Sequence, residues 1–124
     1  MGCTVIATDY TSGVEAITIF WSDVTIVGGR VVGAPYALYS HAGPAIDMFD
    51  GGLVLAGRDA VVEAGLDLGG WPVPAIRTQA GRVNIDPAVT LLPQNGSPRI
   101  TGPATVNKRR IPSVRGVGLT SGAT

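Results

Sequence analysis

The chain has 124 residues and a formal net charge of zero, and only 15% of its residues are charged. Gly and Pro together make 27 of the 124 residues, about twice the average share of roughly 12%. This composition excludes a coiled coil, a long helical bundle and a highly charged disordered chain, and the length is that of one domain.

Strand-forming residues dominate the two longest segments that lack Gly and Pro. These segments, residues 3–12 and 14–27, are the only ones long enough for a helix of useful length. Both are rich in β-branched and aromatic residues, which favour strands. From Ile17 to Trp21 the residues alternate with a period of two, as in a strand. The phase shifts at residues 22–23, which predicts a bulge or tight turn there.

Three turns follow, and each predicts a β-hairpin. They are centred on Gly28 and Gly29, on residues 50–52 and on residues 80–81, and apolar segments follow each of them. Glycine supplies the positive φ angles that two-residue hairpin turns need. Residues 57–65 are the one segment for which we predict a short helix.

The fold class that these signals indicate is all-β, as a small antiparallel sandwich or barrel with an extended C-terminal arm. Residues 1–97 are predicted to form the β domain. Residues 98–124 are punctuated by Pro and Gly, and Pro cannot donate a hydrogen bond within a central ladder. We therefore expect this last segment to form either an extended basic arm or edge strands.

Charge is unevenly distributed along the chain. Residues 1–67 carry eight acidic and two basic side chains, whereas residues 68–124 carry one acidic and seven basic side chains. Such asymmetry indicates an interaction between the two halves or with a partner.

Three interpretations of the basic segment remain open. It folds back on the acidic body of its own chain, it contacts an acidic patch on the next subunit, or it binds phosphates. Zero net charge and the lack of a nucleic-acid motif do not favour the third. In the first two cases the predicted donors are Lys108, Arg109, Arg110 and Arg115, and the predicted acceptors are Asp47, Asp50, Asp59 and Glu63.

The low charge also leaves an apolar surface, and such surfaces usually mark interaction sites. We therefore expect assembly with copies of the same chain, as a homo-oligomer. No stretch approaches the roughly 18 apolar residues of a membrane helix, and residues 1–6 lack the pattern of a signal peptide. Neither a membrane nor nucleic acid is an expected partner.

The sequence contains no recognisable catalytic set. His41 is the only histidine and Cys3 the only cysteine, and one of each cannot make a structural zinc site within a single chain. A Gly-x-Ser-x-Gly elbow is absent. We predict no catalytic residue, metal or cofactor, with a small enzyme that uses His41 as an alternative. The carboxylates near turn glycines, including Asp47 and Asp50, are interpreted as solvated turn residues.

The two tryptophans, Trp21 and Trp71, have two interpretations. Exposed indole rings stack on sugars or bases, which would make the chain a carbohydrate-binding or receptor-binding module. The sequence favours buried anchors, because Trp71 leads into a Pro-Val-Pro segment and Trp21 ends an alternating strand. Both residues are counted among the predicted interaction residues.

In general character the whole chain resembles small structural proteins of tailed bacteriophages, such as capsid decoration, connector and tail proteins. It is short, rich in Gly, Ala, Val and Thr, contains a single Lys among its basic residues, and ends in a basic segment. The resemblance implies a structural virion component, made in the host cytoplasm, that binds copies of itself and other virion proteins.

A second, local resemblance involves residues 102–116. This segment resembles the repeat unit of PAAR proteins, the β-structured tips of contractile injection spikes. The metal-binding His and Cys residues of that family have no counterpart in it. The resemblance implies a spike-tip protein as an alternative function.

Overall fold

A computed structural model describes residues 4–6, 16–35 and 42–111, and its regular elements in these ranges are all strands. The all-β expectation is therefore confirmed. The strands are β1 (Thr4–Ile6), β2 (Ile17–Ile19), β3 (Ser22–Val27), β4 (Arg30–Val32), β5 (Ile46–Met48), β6 (Gly51–Ala56), β7 (Val61–Glu63), β8 (Ile76–Thr78), β9 (Arg82–Ile85), β10 (Thr90–Leu92), β11 (Ile100–Thr101) and β12 (Thr105–Lys108).

The strands form three parallel sheets of four strands each. Their orders are β1-β4-β7-β10, β2-β5-β8-β11 and β3-β6-β9-β12, so every third strand returns to the same sheet. Three successive strands thus make one coil of a solenoid, and four coils stack upon one another. The first coil contains β1 to β3 and the fourth contains β10 to β12.

The expected antiparallel sandwich or barrel is wrong, because all pairings between the named strands are parallel. The predicted turns exist, but they are corners of the solenoid, where the chain passes from one sheet to the next, and not hairpins. Gly28 and Gly29 have φ angles of 71° and 81°, yet the strands that they join, β3 and β4, lie in different sheets. A positive φ bends the chain sharply, whereas the long-range pairing decides which strand becomes the neighbour.

The structure differs from two further local predictions. The helix expected over residues 57–65 is instead a turn followed by β7, which pairs with β4 and β10 and buries Val62. The irregularity expected at residues 22–23 falls one residue earlier, at Trp21, whose φ of 46° forms the corner before β3. In both cases pairing with the neighbouring coil outweighs the local pattern.

Equivalent side chains of successive coils stack into inward-facing columns. One column contains only isoleucine, with Ile17, Ile46, Ile76 and Ile100 in register. In the third sheet Leu55 lies between Ile26 and Ile85, and both Leu55 and Ile85 are buried. Burial of a side chain of this size contributes about 1.5–3 kcal/mol, so these columns supply much of the stability.

The end of the described chain forms edge strands. β11 pairs with β8 and β12 pairs with β9, which places residues 100–101 and 105–108 in the sheets instead of in an extended arm. Edge strands were one of the two possibilities for this segment. Residues 112–124 lie outside the described residues.

We predict that Gly81→Ala destabilises the protein by about 1–3 kcal/mol more than Gly70→Ala, as measured by denaturant unfolding. Both glycines have positive φ, at 95° and 84°, so both substitutions carry similar backbone strain. Only at Gly81 would a Cβ collide with the backbone of the coil below, at Gly51; at Gly70 nothing lies within 4 Å. Equal losses for the two variants would argue against the stacked coils.

Candidate interaction site

A groove crosses the outer face of the third sheet. One outward row places Asp23 beside Gly52, Gly52 beside Arg82 and Arg82 beside Thr105. Gly52 has no side chain, and the row opens there into a cleft of about 440 Å³. Asp50 and Asn84 also line this cleft, so its walls carry both hydrogen-bond acceptors and donors.

Two opposite charges face each other across Gly52. A Cβ built on Gly52 would lie 2.6 Å from Asp23 Oδ1, so the carboxylate extends over the position where a side chain is missing. Gly52 is the register neighbour of Asp23 on β3 and of Arg82 on β9, so Arg82 lies on the opposite side of Gly52 from Asp23. In the part of the chain that the structure describes, neither Asp23 nor Arg82 forms an ion pair within 4 Å. Both groups are therefore available to a ligand.

An aromatic cluster, formed by Phe20, Trp21 and Phe49, lies at the corner between the second and third sheets, just before the groove strands β3 and β6 begin. The rings of Phe20 and Phe49 stack at 4.6 Å with an angle of 4° between their planes, and Trp21 lies 6.0 Å from Phe20. The two phenylalanines occupy the same corner in successive coils, because the Phe49 N–H donates to the Ile19 carbonyl oxygen.

The tryptophans are not buried anchors, contrary to expectation. The side chain of Trp21 is 76% exposed and that of Trp71 is 54% exposed. Trp71 lies with the exposed Leu66 and Leu68 in the segment between β7 and β8. The Asn95 side-chain amide donates to the carbonyl oxygens of Asp67 and Trp71 at 2.9 and 2.8 Å, which holds this segment against the fourth coil.

Because successive coils stack along the solenoid axis, the uneven distribution of charge along the chain becomes an uneven distribution along that axis. Asp23 is the only charged residue described in the first coil. Between residues 87 and 111, which form the fourth coil and its ends, the charged residues are all basic: Arg99, Lys108, Arg109 and Arg110. One end of the stack is therefore cationic, whereas Asp9 and Glu15, which lie between β1 and β2 in the sequence, are outside the described residues.

Two cations of the fourth coil occupy positions that are apolar in the coils below. Lys108 is in register with Ile85, in the column of Leu55 and Ile26. Arg99 occupies the position that Ala45 and Ala75 occupy in the two coils below. The Ala45 N–H donates to the Ala75 carbonyl oxygen, and the Ala75 N–H donates to the Arg99 carbonyl oxygen, so the three residues form one column. The side chains of Lys108 and Arg99 both line a hollow of about 350 Å³, to which Asp86 also contributes, so the hollow carries two cations and one carboxylate. The fourth coil thus ends the apolar columns with positive charge.

Two of the four predicted acceptors are paired within the chain. Arg77 Nη2 donates to Asp47 Oδ2 at 2.7 Å, and Arg30 Nη2 donates to Glu63 Oε1 at 2.8 Å. Asp47 is only 2% exposed, so its interpretation as a solvated turn carboxylate is wrong. Arg77, from the next coil, stands beside Asp47 in the sheet and compensates its charge.

The other two acceptors lie at corners. Asp50 Oδ1 accepts a hydrogen bond from the Gly51 N–H at 2.7 Å, and the Asp59 carboxylate lies against Gly28. Among the described residues no ion pair joins any of the four acceptors to Lys108, Arg109 or Arg110. Arg115 and His41 lie outside the described residues.

Asp86 anchors the chain where it leaves the fourth coil. Its carboxylate accepts hydrogen bonds from the N–H groups of Ile111 and Ala88, each at 2.9 Å. The hydrogen bond from Ile111, then that from Ala88 and the nearby charge of Arg110, hold the pKa of Asp86 below its ordinary value of 3.8, although desolvation opposes this shift.

We predict that Asp86→Asn lowers the free energy of unfolding at pH 7 and that the difference from the original protein disappears in acid. Because folding lowers the pKa of Asp86, its contribution is present above pH 3.8 and is lost as the pH falls through the folded pKa. Denaturant unfolding between pH 7 and pH 2.5 measures this. A difference that stays constant over that range would contradict the assigned hydrogen bonds.

Comparisons with known proteins return no relative. No family model, curated protein or solved structure matches the chain. Within the described ranges no helix is long and apolar enough to cross a membrane, and no three His, Cys, Asp or Glu residues are grouped to hold a metal ion. The resemblances to bacteriophage and PAAR proteins therefore stay predictions.

The sequence alone did not identify Phe20, Phe49, Asp23 and Arg82 as site residues. Their proximity depends on the register between coils, which turn signals do not reveal. A repeat was visible in the sequence, since Ile-x-Ile-Phe at residues 17–20 corresponds to Ile-x-Met-Phe at residues 46–49. Such self-similarity at a period of 20–50 residues is the usual signal of a solenoid.

Proposed function

We propose that this chain is a structural component that associates end to end with copies of itself and carries no catalytic activity. The observation that supports this most is the axial order of charge, with a cationic fourth coil and acidic residues at the start of the chain. The resemblance to small structural phage proteins makes a virion our proposed setting, with other virion proteins as further partners.

The strands at the end of the stack favour such association. β10, β11 and β12 are the last strands of their sheets, and all four residues of β12 are exposed. An edge strand presents unpaired N–H and C=O groups that another strand can bind. A second copy placed with its first coil on this end would continue all three sheets in the same parallel sense.

Charge would select the orientation of that contact. Neighbouring strands lie about 4.8 Å apart, which is shorter than the Debye length of about 8 Å at physiological ionic strength. Head-to-tail contact brings Arg99 and Lys108 close to the acidic start of the next copy, whereas two fourth coils facing each other would repel. Exposed ion pairs contribute only about 0–1 kcal/mol each, so apolar burial and strand pairing would supply most of the affinity.

A head-to-tail contact also determines the kind of assembly. The two surfaces in such a contact differ, so each added copy offers a fresh fourth coil to the next. If the copies continue the sheets directly, the product is an open filament instead of a closed ring. A virion component could use the same contact once, to dock on a neighbouring protein.

The position of Lys108 in an apolar column is also consistent with the opposite role, in which Lys108 prevents a second copy from stacking on the fourth coil. A polar terminal repeat prevents further stacking in many solenoid proteins, and a lysine in an apolar column is suited to that purpose. The two roles predict opposite results when the charge is removed. Neutralising Lys108 weakens association if the cation attracts the next copy, and strengthens it if the cation blocks the end.

We predict that Lys108→Glu reduces association about tenfold or more at low salt, because it replaces attraction by repulsion, and that Lys108→Met reduces it about two- to fivefold. Both are measured as the dissociation constant by analytical ultracentrifugation. Arg58→Glu is the matched control for the first variant: it makes the same change of charge at an exposed position between the second and third coils. The original protein should dissociate as salt rises, because screening weakens the end-to-end attraction. Stronger association of Lys108→Met would show that Lys108 is a cap and would refute the proposal.

A further inference from the structure

The register between coils brings the aromatic cluster next to the groove, because Trp21 precedes Ser22, and the register neighbour of Ser22, Gly51, lines the groove. Trp21 lies two residues before Asp23, and Phe49 immediately precedes Asp50. In both coils, therefore, an aromatic residue at the corner is followed within two residues by a carboxylate that lines the groove. A ligand in the groove would therefore contact aromatic faces at one side and charged or amide groups at the other.

The chemistry of this surface fits a saccharide. A sugar ring has an apolar C–H face, which packs on an aromatic ring, and a rim of hydroxyl groups that both donate and accept hydrogen bonds. The groove supplies acceptors at Asp23 and Asp50, donors at Arg82, and both at Asn84.

Other ligand classes fit less well. A nucleic acid would require a cationic surface, whereas this groove carries two carboxylates against one guanidinium. A lipid chain would require an apolar trough, whereas this groove is lined by charged and amide side chains. Mixed donors and acceptors next to exposed rings match a neutral, hydroxyl-rich ligand.

Backbone strain supports a functional role for Trp21. Its φ of 46° lies in the left-handed region, which is a genuine outlier for a bulky residue. Such conformations cost free energy and occur mainly at functional sites, where the surrounding structure maintains them. At this corner the strained backbone presents an indole that is 76% exposed, next to Phe20.

We propose that the groove of the third sheet, with Trp21 and Phe20 at its margin, binds an oligosaccharide. The sugar ring stacks on the exposed aromatic faces, and its hydroxyl groups bind the side chains of Asp23 and Arg82. The site lies on the outer face of the third sheet and runs from Asp23 on β3 to Thr105 on β12, which are the two terminal strands of that sheet. A filament would therefore place the grooves of successive copies side by side and raise the avidity for a polysaccharide.

The test is a glycan array of bacterial and eukaryotic oligosaccharides probed with the full chain, followed by titration calorimetry with the best-bound oligosaccharide. We expect Trp21→Ala to weaken binding at least tenfold. Trp71→Ala is the matched control, because it removes another exposed indole away from the groove and should leave affinity within about twofold. Asp23→Asn and Arg82→Gln should each weaken binding as well.

A second variant separates loss of the site from loss of the fold. Trp21→Gly removes the ring and relieves the positive φ, so it should unfold at the same or a higher denaturant concentration than the original protein while losing binding. Absence of binding to every glycan on the array would overturn the proposal. Equal affinity of the Trp21 and Trp71 variants would overturn it too, as would binding of peptides in place of glycans.

Discussion

Backbone hydrogen bonds between equivalent strands of successive coils determine every other feature of the molecule. The Phe49 N–H donates to Ile19 and the Gln79 N–H donates to Met48, each at 2.8 Å, and similar bonds continue around the three sheets. Each contributes only about 0.5–1.5 kcal/mol in net terms, but an unpaired buried N–H would cost more. These bonds set the register, and the register determines which side chains form columns, rows and corners.

Two surfaces, for which we propose different roles, follow from this stacking. The ends of the solenoid expose edge strands and unequal charge, which favour another copy of the chain. The side exposes a groove, where Asp23 and Arg82 flank the position that Gly52 leaves empty, next to the strained Trp21. Although the groove includes residues of both terminal strands, Lys108 lies outside it, so variants at Lys108 and at Trp21 test the two proposed functions separately.

The sequence predicts strands and corners well, but it does not predict pairing. The alternation from Ile17 to Trp21 and the paired glycines at residues 28–29 show where strands begin and end. The same glycines would serve a hairpin, and only the alignment of Ile17, Ile46 and Ile76 distinguishes a solenoid. Unequal coil lengths obscure that repeat. The exposure of Trp21 could not be predicted, because it depends on a backbone angle that local preference disfavours.

The stacking of coils is tested most directly by disulfide trapping in a Cys3→Ser background. Thr25 and Val54 are register neighbours on the outer face of the third sheet, and Asn84 is the next residue in that row. Cysteines at 25 and 54 should lie about 4.8 Å apart at Cα, within the range that a disulfide spans, whereas 25 and 84 should be roughly twice as far apart. We predict rapid oxidation of the first pair and none of the second. Failure of the first pair, or bridging of the second, would contradict the parallel stack.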